Sequence, residues 1–327
     1  MARYSRKKDL FVVAAVDADI VGQLRSGRRQ WWRARWDGSV IDALRRLYAR
    51  VAFVGVEAGR LDGLGALVRL QPDLVYNLSL SATPSESTFT ACLEFAGIRC
   101  TGSGSQGIAL ANDKIRSRQL LAAAGVRVPR FAVLAPGASL EQIDLTPPVI
   151  VKPAFEGSAF GIGIDSVVMT RQEALDCARR IWKRFAQPAV CDEFVQGREL
   201  RVGLIEGRDG RFQIAGISEW EYPEAERGFK TEKKRRNVHL RPLRPSKVPR
   251  TLADQITAIA RTALPKIGVR GYGSMDLRQD QFERITVLEV NANPGVSDDS
   301  PTWNNPSFDR NIQRIVEAAL RPRSMGQ

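Results

Sequence analysis

The chain has 327 residues, 43% hydrophobic and 26% charged, which allows two or three packed units with buried cores and is ordinary for a soluble globular protein. Its 49 Lys and Arg against 36 Asp and Glu leave a formal +13, which favours anionic partners, set against the plainer reading of a basic solvated surface. A single histidine, His239, excludes a multi-histidine metal site and argues against Ser-His or Cys-His chemistry.

No apolar run approaches the roughly 18 residues of a membrane span, so no membrane partner is expected. Leu10–Val16 follows a basic start but has no small-residue cleavage site, and it reads as a first buried strand rather than a signal peptide. Cys92, Cys100, Cys177 and Cys191 form no CxxC pair and sit in apolar stretches, as free structural thiols do; a reducing, cytoplasmic setting fits them. No zinc finger, RNA-recognition signature or basic region with heptads is present, so the positive charge alone does not imply nucleic acid.

After the Leu10–Val16 strand comes Arg28–Trp36, dense in Trp and Arg, either an anion surface or amphipathic side chains packed over a sheet. A helix is predicted over Ser39–Ala49, with Ile41, Leu44, Leu47 and Tyr48 on one face. Strands Val51–Val56 and Leu74–Tyr76 alternate with helices Leu61–Leu70 and Ser87–Ala96, and Ile98–Cys100 closes the series as a short strand. This alternation predicts a parallel, Rossmann-like sheet covered by helices.

Thr101-Gly-Ser-Gly-Ser-Gln-Gly107 matches GxGxxG, but after Asp113 the next acid is Glu141, so the ribose-binding half of a dinucleotide fingerprint is missing. It reads as an interdomain hinge leading into a helix over Asn112–Ala124. Strands follow at Arg130–Leu134 and Val149–Pro153, then a glycine-rich turn at Glu156–Gly163, a strand at Ile164–Met169 and a helix at Arg171–Phe185. Val190–Val195 is a strand, and Glu199–Ile205 with Phe212–Ile217 makes a hairpin. Glu219–Arg250 is a long charged loop, a length that is usually functional or disordered. A helix over Thr251–Leu264, strands Gly271–Leu277 and Ile285–Val290, and a helix Phe308–Leu320 complete the chain.

Three constellations carry chemistry. Lys152 ends a buried strand before Glu156, Ser158 and Gly161, where a rigid ammonium and Cβ-free backbone can meet phosphate oxygens; a lysine snorkelling beside an ordinary turn is the plain alternative. Asp276, Glu289 and Asn291 fall on paired strands, two carboxylates and an amide that suit Mg²⁺; an acidic half-exposed face is the alternative. Asn291-Ala-Asn-Pro-Gly295 follows at once as a tight turn able to aim backbone donors at an oxyanion. Asp192 and Glu193 beside an exposed strand can read an adenine amino group, and Glu199 can hold ribose hydroxyls; a strand followed by a hairpin with scattered charges is the alternative, and it weighs more here than for the first two.

In order, Asn112-Asp-Lys114, Val151-Lys152-Pro153, Glu156-Gly-Ser158, Glu193-Phe-Val195, Gly197-Arg-Glu199, Met275-Asp276 and Glu289–Gly295 resemble the D-alanine–D-alanine ligase branch of the ATP-grasp superfamily, from about Gly97 onward. The resemblance implies an α/β and α+β architecture, an ATP-grasp fold with an N-terminal parallel-sheet domain. Its units would be 1–104 for substrate, 105–198 with the glycine-rich loop, and 199–327 with the metal site and covering loop. It implies ATP and two Mg²⁺ ions, with Mn²⁺ admissible, and small-molecule carboxylate and amine substrates joined through an acylphosphate; a homodimer is compatible with it.

Residue by residue, it implies Lys114 and Lys152 at ATP phosphates and Glu193, Val195 and Glu199 around adenine and ribose, with Asp192 assisting. Asp276, Glu289 and Asn291 would hold metal, Ser158 and Glu156 would lie in the loop, Gly295 and Ser300 near the substrate carboxylate, and Lys230 at the γ-phosphate. Two departures bear on substrate. The family's N-terminal glycine-rich turn and ammonium-gripping glutamate are absent, and its histidine region is replaced by Tyr76-Asn77, which makes Asn77 a substrate candidate. Ser274 stands where the family places an arginine two residues before the metal-binding aspartate, and Arg278 is a candidate substitute. These departures favour a ligase acting on a pair other than D-alanine, ahead of true D-alanine–D-alanine synthesis and of a non-catalytic nucleotide-binding or scaffold protein.

Overall fold

Val12 to Val16 have no exposed surface, because the first strand, β1 (Lys8–Asp17), is central and covered on both faces. It pairs in parallel with β2 (Tyr48–Val56) on one side and β3 (Leu74–Asn77) on the other. The period of two sends Val12, Ala14 and Val16 into one cluster and Val13 and Ala15 into another. The structure, a computed structural model, describes residues 8–27, 32–79, 85–157, 159–220, 248–304 and 306–322.

Two helices lie between β1 and β2, α1 (Val21–Ser26) and α2 (Trp32–Leu47). The second begins at Trp32, well before the predicted Ser39, so the Trp/Arg segment supplies its first turns. Ala34, Ile41 and Leu44 are buried against the sheet, and Tyr48, predicted as helical, opens β2 instead. Next come α3 (Asp62–Leu70) and α4 (Ser85–Phe95). The expected strand at Ile98–Cys100 reduces to one parallel bridge between Val75 and Cys100.

The predicted helix over Asn112–Ala124 is α6 (Lys114–Ala123), and a separate helix that the sequence pattern did not show, α5 (Ser105–Asn112), precedes it. Asp113 separates them by accepting the amide hydrogens of Ile115 and Arg116, both at 3.0 Å, as an N-cap. Gly102 adopts φ +84°, and any Cβ there would also crowd Tyr272 and Asn293. Ser103 Oγ donates to the Ala292 carbonyl at 2.9 Å and accepts the Arg270 amide at 3.1 Å, so this turn is pinned to the strands that carry the site.

The middle of the chain contributes β4 (Phe131–Leu134), β5 (Val149–Pro153), β6 (Val167–Val168), α7 (Arg171–Phe185) and β7 (Ala189–Glu193). The predicted strand Ile164–Met169 is a helical turn followed by the two-residue β6. A reciprocal Thr170–Glu173 capping box starts α7, whose Ala174, Leu175, Ala178 and Ile181 are buried. These strands form an antiparallel sheet in the order β4-β7-β5-β6.

The remaining elements are β8 (Arg198–Glu206), β9 (Phe212–Trp220), α8 (Arg250–Ile267), β10 (Tyr272–Gln279), β11 (Ile285–Asn291) and α9 (Phe308–Ala319). Their antiparallel sheet has the order β11-β10-β8-β9. The last helix returns to the first sheet: Phe308, Ile312, Ile315 and Val316 share a core with Val12, Ile41, Leu44 and Trp303. Arg46 of α2 grips Asp309 through two hydrogen bonds at 2.6 and 2.8 Å. Among the described residues no helix is long and apolar enough to cross a membrane, and Cys92, Cys100, Cys177 and Cys191 are all unbridged.

Candidate functional site

Strand register in the last sheet writes two polar rows across one face. Glu289, Asp276, Arg201 and Ser218 stand side by side on β11, β10, β8 and β9. Two residues along, on the same face, lie Asn291, Ser274, Gly203 and Gly216. The three predicted metal-binding residues are therefore brought together, and Asn291 Nδ2 donates to Asp276 Oδ2 at 3.3 Å. Among the described residues no group of three or more His, Cys, Asp or Glu forms a metal cage. Two carboxylates and an amide, whose oxygen a flip would present, leave coordination positions for water and phosphate, and this set fits Mg²⁺.

The second row explains its glycines. A Cβ on Gly216 would sit 2.6 Å from the Thr302 carbonyl, and one on Gly203 would sit 2.9 Å from it. Their absence lets the 301–303 backbone lie on the sheet, where Thr302 and Ser218 share a hydroxyl hydrogen bond of 2.5 Å. Trp303, packed edge-on to Tyr272, donates its indole hydrogen to the Gly295 carbonyl at 3.1 Å. Ser300 accepts the Trp303 amide at 2.9 Å through its own carbonyl. Gly295 and Ser300 thus belong to one turn held beside the polar rows.

A cluster of cations faces the strands that carry Asp276 and Glu289 from the middle sheet. Lys114, the first residue of α6, donates to the Glu156 carbonyl and stands 3.7 Å from Glu289. Burial pulls its ammonium pKa down, opposed by the attraction of Glu289. Lys152 on β5 lies 2.7 Å from Asp192 on β7, whose two oxygens also receive Arg118 at 2.5 and 2.9 Å. Asp192 is 1% exposed, so it acts on Lys152 and Arg118 and is not presented to an adenine ring. Glu156 turns its carboxylate to Gln187 at 3.0 Å and offers only its carbonyl to Lys114.

The nucleotide candidates at Glu193, Val195 and Glu199 lie on the segment joining β7 to β8. Glu193 accepts the Arg130 amide at 3.1 Å. Arg278 donates to the Val195 carbonyl at 3.0 Å and to Glu199 at 2.7 Å, with its guanidinium 5.2 Å from the Phe194 ring. It therefore shapes this segment, and the guanidinium beside Ser274 belongs to another residue. Arg201 Nη2 approaches Ser274 Oγ at 3.5 Å and its Nε stands 4.0 Å from Asp276. Only strand register reveals Arg201, which lies 73 residues from Ser274 in sequence.

At the C-terminal ends of β1 and β3, Asn77 is 1% exposed and internally satisfied. It accepts the Ser79 amide at 3.1 Å and donates to Thr90 Oγ1 at 3.3 Å, bracing the strand end rather than facing a ligand. Asp17 receives Ser79 Oγ at 2.8 Å and pairs with Arg33. Glu86, missed in sequence, joins the first sheet's helices to the turn after β11 by accepting Asn293 at 2.9 Å and Asn112 at 3.3 Å. Burial raises its pKa to about 7. Ser158 and Lys230 lie outside the described residues, as does the charged run near Lys233.

Residues 120–305 match the family model described as D-ala D-ala ligase C-terminus. A D-alanine–D-alanine ligase of Chromohalobacter salexigens is 34% identical over 255 residues, covering 75% of this chain and 77% of that one. An uncharacterized protein of Sinorhizobium fredii, y4sG, is 29% identical over 277 residues, covering 82% and 80%. The crystal structure of D-alanine–D-alanine ligase from Bacillus anthracis complexed with ATP has the same fold, with a TM-score of 0.72 at 16% identity over 95% of this chain and 98% of that one.

Proposed function

The chain belongs to the D-alanine–D-alanine ligase family of ATP-grasp enzymes and is an ATP- and magnesium-dependent ligase forming a carbon–nitrogen bond; from that premise we propose that D-alanine is both its acid and its amine. The names of the relatives favour this over the expectation, drawn from the N-terminal departures, of a different acid and amine. The observation that carries the chemistry is the row Glu289–Asp276–Arg201 with Lys114 3.7 Å from Glu289.

In this reading Asp276, Glu289 and Asn291 hold two Mg²⁺ ions, with Mn²⁺ an admissible replacement. Bound magnesium would supply positive charge to the phosphate oxygens. Lys114, held by Glu289 and the Glu156 carbonyl, and Lys152, held by Asp192, would meet those oxygens as well. Glu193, Val195 and Glu199 line the adenine and ribose, and Arg278 fixes the last two. The substrate carboxylate attacks the γ-phosphorus and forms an acylphosphate; the amine then attacks its carbonyl carbon and phosphate leaves. The turn from Gly295 to Trp303 positions the acid next to the polar row, and the acylphosphate formed there has to meet the amine before water does.

A second reading rests on Asp17, whose oxygens are engaged by Arg33 and Ser79 at the strand ends where substrate would enter. It calls for an acid or amine other than D-alanine. Magnesium- and ATP-dependent phosphate release, measured with D-alanine and with a panel of amino acids and amines, separates the two. Stimulation by D-alanine supports the first reading and stimulation by another acceptor alone supports the second. Tight Mg·ATP binding with no stimulated release would leave a non-catalytic nucleotide-binding protein. Asp276→Ala should abolish release; full activity in that variant would overturn the metal assignment.

A further inference from the structure

We propose that Arg201 is the residue whose guanidinium meets the phosphoryl group as it passes from ATP to the acid substrate. The inference rests on the ligase reading above and assigns a role that no sequence motif pointed to. Arg201 stands directly across from Asp276, on the strand that separates the metal-side strands from β9. On its other side is Ser218, which is bonded to Thr302 of the substrate-side turn. The order across the sheet is therefore metal carboxylates, arginine, substrate turn. A group moving between the nucleotide phosphates and an acid held by that turn crosses the arginine.

The partners of this arginine are long. Its approach to Asp276 is 4.0 Å and its contact with Ser274 is 3.5 Å, at the limit of a hydrogen bond. The other cations near the site are engaged at shorter range: Lys152 with Asp192 at 2.7 Å, Arg118 with Asp192 at 2.5 Å, and Arg278 with Glu199 at 2.7 Å. Lys114 is committed to the Glu156 carbonyl. Arg201 also keeps 20% of its side chain exposed, whereas Arg118 keeps 2% and Arg278 5%, so it is the least enclosed of the three arginines. Its neighbours in the second row, Gly203 and Ser274, are small and leave room for a planar fork to swing over the sheet.

In the step concerned, a carboxylate oxygen of the acid bonds to the γ-phosphorus while the bond from phosphorus to the β,γ-bridging oxygen breaks. The electron pair leaves with ADP and no proton is transferred. Negative charge spreads over the equatorial phosphoryl oxygens, and a fixed guanidinium aimed there acts most strongly when the group is in transit. Ser274 shares Arg201's patch of the sheet, so an arginine placed at 274 would reach the same space once Arg201 is shortened.

The test compares wild type, Arg201→Ala, Arg201→Gln and Arg201→Ala/Ser274→Arg, with thermal melts to establish folding. Calorimetry measures affinity for Mg·ADP alone and for Mg·ADP with aluminium fluoride, a mimic of the phosphoryl group in flight. Wild type should bind the mimic complex more tightly, and Arg201→Ala should lose about tenfold or more of that tightening while Mg·ADP affinity stays within about twofold. Stimulated phosphate release should fall about 10²–10³-fold in kcat with little change in the KM for ATP, and the double variant should recover part of it. Arg201→Gln, which keeps the size, should behave as Arg201→Ala does. A wild type that turns over while Arg201→Ala or Arg201→Gln matches it in both measurements overturns this assignment alone. A wild type that binds no Mg·ADP overturns the ligase reading and this assignment with it.

Discussion

Asp192→Asn removes one charge from a place where three charged groups meet almost without water. Asp192 is 1% exposed, Arg118 2% and Lys152 12%, and the carboxylate receives Arg118 at 2.5 and 2.9 Å and Lys152 at 2.7 Å. At an effective dielectric near 20, two unit charges about 4 Å apart attract by about 4 kcal/mol, and the same carboxylate serves two partners. Asparagine keeps the shape and one acceptor but leaves two buried cations facing each other. Breaking a buried pair in this way costs about 3–5 kcal/mol. Lys152 can shed part of its share by turning toward solvent, whereas Arg118 cannot, so the loss should fall mostly on Arg118.

Urea denaturation and calorimetric melting of Asp192→Asn, Arg118→Met and the double variant measure this. Arg118→Met alone leaves Asp192 still paired with Lys152 and should cost less than Asp192→Asn. The double variant should be more stable than the sum of the two losses predicts, with a coupling of about 2 kcal/mol or more. The KM for ATP of Asp192→Asn should rise about tenfold, because Lys152 loses the carboxylate that holds it in place. A destabilisation of Asp192→Asn under about 1 kcal/mol, with unchanged ATP affinity, would show that the carboxylate does not hold these two cations in place.

Glu86 should make stability depend on pH. Its folded-state pKa is about 7 against an ordinary 4.5, chiefly from burial, so between those values the folded protein keeps a proton that the unfolded chain releases. That contribution is complete below pH 4.5 and is lost as pH rises through about 7, a total of roughly 3 kcal/mol. Glu86→Gln should therefore melt higher than wild type at about pH 8 and gain much less at about pH 5; parallel melting curves across that range would count against it. Gly216→Ala places a Cβ 2.6 Å from the Thr302 carbonyl and 2.7 Å from that of Pro301, so the substrate-side turn must lift. It should raise the KM for the acid substrate and cost about 1–3 kcal/mol of stability while leaving Mg·ATP affinity alone. An unchanged acid KM would place the substrate elsewhere.

Local signals were clearest where one element carried its own instructions. Val149–Pro153 and Arg171–Phe185 begin and end where the pattern predicts, the first by its β-branched run and the second by its apolar stripe and the Thr170–Glu173 cap. The boundary at Trp32 was not legible, because the Trp/Arg turns lack an apolar stripe of their own and are held by contacts such as Arg33 with Asp17. The short helix before Asp113 was equally hidden. Ser105–Asn112 follows the glycine-rich turn directly and ends at Asp113, where the Lys114 amide donates to the Ala154 carbonyl at 3.1 Å, a partner on a distant loop. Asn77 drew attention as the residue in place of an expected motif, yet its amide is spent on Ser79 and Thr90.

Sequence alone was enough to put Glu289 and Asn291 on one strand face, because residues two apart on a strand share a face whatever the rest of the fold does. It also carried the order of motifs that places the chain in its family. Tertiary structure alone decided which cation serves which group. Arg278, two residues from Asp276, is drawn to Glu199 and Val195, while Arg201, 73 residues from Ser274, stands beside it. The reason is strand pairing: cross-strand neighbours lie about 5 Å apart whatever their separation in sequence, and which strands become neighbours is settled by the sheet as a whole.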